Sequence, residues 1–119
     1  MKKYLNTQYA VVGESHTSII EYIEALIDKK LETSDDLNKG LIWRLNLENP
    51  ELHVELSSNI DPSINLKDAP EEYYYVDYKY RDCKLLLNIS GHFKTVEMLN
   101  TNLDKKPNFR IVSQENYSK

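Results

Sequence analysis

Between Ile19 and Leu56 the hydrophobic period changes once, from helical to alternating, and that switch restricts the chain to a helix laid against a sheet. Ile19, Tyr22, Ile23, Leu26 and Ile27 recur at helical spacing and Leu31 extends the stripe. Glu21, Glu24, Asp28 and Glu32 fall on the opposite side. Ser18, with Glu21 three residues later, fits a capping box, so the helix is predicted over about 18–32. From Leu41 the period is two: Leu41, Trp43, Leu45 and Leu47 alternate with Ile42, Arg44 and Asn46. After Asn49-Pro50 the pattern resumes at Leu52, Val54 and Leu56, with His53 and Glu55 between them. A proline whose φ is already set favours a tight turn there, and a hairpin follows.

Four more segments read as strands. Residues 4–12 are apolar enough for a first strand ending at Gly13. Cys83, Leu85, Leu87 and Ile89 give another inward face, and 109–113 a short last strand, beyond which 114–119 is expected to fray. The stretch Glu71-Glu72-Tyr73-Tyr74-Tyr75-Val76-Asp77-Tyr78-Lys79-Tyr80 holds five of the nine tyrosines. Its alternation predicts a strand with Tyr74, Val76, Tyr78 and Tyr80 inward and Tyr73, Tyr75 and Asp77 outward. Residues 93–99 fit strand or helix equally, and 59–70, with two prolines, read as a long loop.

The expected class is therefore α+β: an N-terminal strand and one main helix packed on an antiparallel meander sheet of about five strands. At 119 residues the chain makes one domain. The element order resembles that of cystatin-like and nuclear-transport-factor-like folds, an architecture that by itself assigns no chemistry.

Charge and chemistry narrow the function. Residues 1–82 carry 16 acids and 9 bases, a balance of −7; residues 83–119 carry 3 acids and 6 bases, a balance of +3, which together give −4. An acidic majority repels a phosphate backbone, so direct nucleic-acid binding is not expected. No window approaches the ~20 apolar residues of a membrane span. Lone Cys83 excludes an intrachain disulfide, and the polar residues after Met1-Lys2-Lys3 do not make a signal peptide, so a cytoplasmic setting is expected. His16, His53 and His92 lack ligand spacing, and three glycines leave no phosphate-cradling loop. Cys83 with His92 is the single thiol–imidazole pairing, on a strand phase where a cysteine usually serves as a small buried apolar group. Neither a metal, nor a cofactor, nor catalysis is expected.

What remains is recognition. Tyrosine offers contact area at low entropic cost with a hydroxyl that tolerates water. Glu71, Glu72, Tyr73, Tyr75 and Asp77, with His53 and Glu55 from the hairpin, form the expected contact surface for a basic protein. The expected function is a non-catalytic inhibitor that masks a basic partner such as a nuclease toxin, acting as a monomer or weak dimer. A secretion or assembly chaperone, or a cup-shaped domain that binds a small molecule, are the alternatives.

Overall fold

The computed structural model describes residues 3–27, 41–48, 50–60 and 75–118. The chain runs β1 (Lys3–Val11), α1 (His16–Ile27), β2 (Leu41–Glu48), β3 (Glu51–Ser58), β4 (Leu85–His92), α2 (Phe93–Leu103) and β5 (Phe109–Ser118). The five strands form one antiparallel sheet in the order β2-β3-β4-β1-β5. The class is α+β, with the N-terminal strand and the expected helix packed on the sheet. Only β2, β3 and β4 meander. The N-terminal strand is inserted between β4 and β5, which run parallel to each other on either side of it.

The inward phase of β2, β3 and β4 is the predicted one, but Cys83 and Tyr80, expected on the same face, precede β4 and pack with Ala10 and Leu86 on the other side of the sheet. Trp43, Leu45, Leu52, Val54, Leu56, Leu85, Leu87 and Ile89 are buried, with Leu47 partly so, against Ile19 and Ile23 of α1. The second helix, α2, closes the same core with Val96, Leu99 and Leu103. It resolves the ambiguous 93–99 stretch and adds a second helix to the one main helix expected. His92 caps α2 by accepting the Lys94 N–H on Nδ1 at 3.4 Å. The turn from β4 into α2 is tight. Gly91 has φ +146°, and a Cβ there would run into the Glu51 carbonyl of β3, so neither its conformation nor its neighbour admits a side chain.

Three local readings are corrected. Helix α1 begins at His16, because Ser15 and not Ser18 caps it: Ser15 Oγ accepts the Ser18 N–H at 3.1 Å and Ser15 O accepts the Ile19 N–H at 3.2 Å. Residues 28–32 of the predicted helix lie outside the described residues. The last strand does not stop at Ser113; it pairs with β1 out to Lys3 opposite Ser118, past a bulge at Gln8/Tyr9. The tyrosine stretch is not a strand where it is described. Tyr75 makes a single bridge with Ile60, and the chain then bends into a short 3-10 turn at Tyr78–Tyr80.

Candidate functional site

The segment 75–84 takes its shape from one side chain at the end of β3. Asn59 is fully buried. Its Nδ2 donates to the carbonyls of Tyr80 and Cys83, each at 2.9 Å, and more weakly to that of Asp77 at 3.3 Å. Its Oδ1 accepts the Asp77 N–H at 2.8 Å. The Asn59 backbone adds two bonds, accepting the Val76 N–H at 2.7 Å and donating to Lys84 O at 2.8 Å. A strand would have left these backbone groups to be paired by a neighbouring strand; the carboxamide pairs them locally, and the alternation of the tyrosines loses its meaning. Asp77 completes the turn by accepting the Lys79 N–H on Oδ1 at 3.2 Å.

The clamp decides what the segment shows. Tyr80 packs against Ala10, Cys83 and Leu86, a small cluster on the outward side of the sheet that also gathers Val12 and Val112. Val76, expected inward, is 60% exposed, and Ile60 across the bridge is 42% exposed. Tyr75 is half-buried and Asp77 lies beside it at the start of the turn. Glu71, Glu72 and Tyr73 lie outside the described residues.

His53 and Glu55 sit on the outward face of β3, the face whose far end the 80–86 cluster covers. Glu55 receives Arg44 Nε from β2 at 3.4 Å, both side chains being well exposed. His53 is held between Asn46 Oδ1 at 2.8 Å through Nδ1 and Glu51 Oε1 at 3.4 Å through Nε2. The structure thus places His53 and Glu55 on one sheet face, and Tyr75 and Asp77 on the clamped segment.

Sequence reasoning missed the groups around that segment. Asn59 carries no local signature: an asparagine after a strand reads as an ordinary loop residue. Asp82 pairs with Arg110 of β5 at 2.5 Å, and this bond to the guanidinium holds the Asp82 carboxyl below its ordinary value. Next to it, burial and then the Asp82 charge push the Cys83 thiol up, so the thiolate needed for nucleophilic work is disfavoured. His92 caps α2 at the other end of β4, so the thiol and the imidazole do not converge. Among the described residues no group of three or more His, Cys, Asp or Glu is placed to hold a metal ion.

On the helix side, Leu26, Ile27, Leu47, Pro50, Leu52 and Met98 line an apolar cavity of about 380 Å³, with Lys94 and Thr95 at its polar margin. No helix among the described residues is long and apolar enough to cross a membrane. Set against protein-family models, curated proteins and solved structures, the chain matches none.

Proposed function

We propose that the chain is a non-catalytic binding protein that masks a basic protein partner in the cytoplasm, in the manner of an immunity protein, an antitoxin or a phage-encoded inhibitor. The observation that carries this reading is the Asn59 clamp, which spends a fully buried side chain on presenting an exposed surface segment. An ordered segment loses little conformational freedom when a partner docks, which is the physical advantage of a preorganised contact. Exposed Val76 and Ile60 supply an apolar centre, Tyr75 stands between them in sequence and bridge, and Asp77 adds negative charge. Residues 60–82 hold six acids and three bases, a local surplus of negative charge in the sequence that favours a basic partner.

Affinity capture with the intact chain, followed by binding kinetics on the captured protein, tests the reading. A single basic partner is expected. Tyr75→Ala or Val76→Asp should raise its dissociation rate at least about tenfold, as for central contacts. Glu71→Gln with Glu72→Gln should slow association, and more so at low salt. Capture of unfolded chains would favour a chaperone instead, and an acidic partner would end the proposal.

The cavity against α1 and α2 favours a second reading, since its volume falls in the range of small-molecule sites. Met98→Trp would fill it; loss of a bound apolar metabolite in native mass spectrometry, with protein binding intact, would establish that role.

A further inference from the structure

Strand β2 is an outer strand of the sheet, and no described strand pairs with its far side. Edge strands of soluble proteins are usually guarded by proline, by inward-pointing charge or by brevity. Within Trp43–Glu48 this one has none of these; its irregularity lies at Leu41/Trp43 and Pro50 falls beyond its end. Its inward residues Trp43, Leu45 and Leu47 face the core, and its outward residues Arg44, Asn46 and Glu48 are exposed.

The outward triplet is self-complementary. Arg44 and Glu48 lie two residues either side of Asn46, so an antiparallel pairing of β2 with a copy of itself about Asn46 sets each Arg44 opposite the other copy's Glu48. The same register sets Leu45 opposite Leu47 on the core side, so apolar meets apolar and polar meets polar.

A second observation points to a cation at the same place. Within its own chain Glu48 stands directly opposite Glu51, a like-charge pair, and among the described residues Glu48 has no basic partner. Arg44 reaches Glu55 through Nε, which leaves both terminal nitrogens of the guanidinium for another carboxylate. Glu51 has His53 and Glu55 has Arg44, so in this hairpin it is Glu48 that a second copy would supply with a base.

We infer that the chain forms a two-fold dimer by antiparallel pairing of β2 with β2 about Asn46, making one continuous ten-stranded sheet. The contact is isologous, so each Arg44–Glu48 pair occurs twice and closure at a dimer follows. It is separate from the clamped 75–83 segment, and it stands or falls independently of what that segment binds.

Residues directly opposite across an antiparallel pair hold their Cβ atoms about 4.5–5.5 Å apart, near the span of a disulfide. Asn46→Cys in a Cys83→Ser background should therefore give a covalent dimer on mild oxidation. Glu55→Cys, on the same face but one strand inward, should not.

Sedimentation provides the second measurement and does not depend on the cysteine variants folding. Glu48→Arg should weaken the dimer about tenfold by setting arginine against arginine at both ends, while leaving the monomer folded because Glu51 then meets a base. Arg44→Glu combined with Glu48→Arg should restore dimerisation to within about threefold of the parent. A monomer at high concentration overturns the inference. So does a dimer that neither crosslinks at position 46 nor responds to the charge exchange.

Discussion

At the scale of single residues, the most consequential side chain is one with no charge and no exposure. Asn59 shares two hydrogens among three carbonyls and accepts one N–H, so its orientation is fixed by what surrounds it. Asn59→Ala should cost about 3 kcal/mol, because one buried and several part-buried backbone groups lose their partner at once. Asn59→Asp should cost more, since a carboxylate would then face three carbonyl oxygens. Urea unfolding measures both, and limited proteolysis should open first between 75 and 83. Two other buried groups set the behaviour in alkali. Burial, then the hydrogen bond to Asp104 and its charge, push the Tyr9 phenol far above its ordinary value, and Cys83 is raised by burial. Both groups hold their protons more tightly folded than unfolded. The stability they contribute is present below the unfolded values, about 8.5 for cysteine and about 10 for tyrosine, and is lost as pH rises through the folded ones. Unfolding curves from pH 7 to 11 should show stability falling in that order, with Cys83→Ser removing the earlier loss and Tyr9→Phe removing the start of the later one, above about pH 10.

Among the elements, periodicity was legible and partner choice was not. The hairpin of β2 and β3 and the inward phases of β2, β3 and β4 follow from alternation, because one buried face forces a period of two. Leu45→Ala and Leu85→Ala should each lower stability by about 2–5 kcal/mol in chemical denaturation, as cavities in a packed core do. The same logic fails at the tyrosines, where alternation is present but the backbone is satisfied by Asn59 from 18 or more residues away. It fails more mildly at α2. Val96, Leu99 and Leu103 carry a helical stripe, yet Asn100 lies on its buried side and donates to Thr7 at 2.8 Å, so the stripe reads as interrupted. Of the expected contact surface, His53 and Glu55 were correctly phased outward on their strand. The setting of Tyr75 and Asp77 depended on a long-range bond that no spacing announces.

For the molecule as a whole, the acidic first part and the basic last part of the sequence do not become two lobes. β1 and the β2–β3 hairpin share one sheet with β4 and β5, so both parts of the sequence build a single layer. Under the proposed function, long-range attraction for a basic partner would come from the local surplus of acids in 60–82, and raising ionic strength should slow association without changing dissociation much. Alanine at His16, His53 and His92 with Cys83→Ser should leave partner affinity within a few fold, since the three histidines lie outside the clamped segment and Asn59 holds the Cys83 carbonyl, not its buried thiol; titration calorimetry on the folded variant decides it. The insertion of β1 has a further consequence, for the order in which the protein can assemble. Both neighbours of this strand come from residues 85–118, so β1 must wait for β4, and β5, whose sheet neighbour is β1, can be seated only with it or after it. The β2–β3–β4 meander can form from local contacts, whereas seating β1 requires closing a loop of most of the chain, which slows folding. Until that closure, Tyr9, Val11 and their neighbours have no sheet to bury them, and a nascent chain is at its most vulnerable to aggregation just before β1 and β5 are seated.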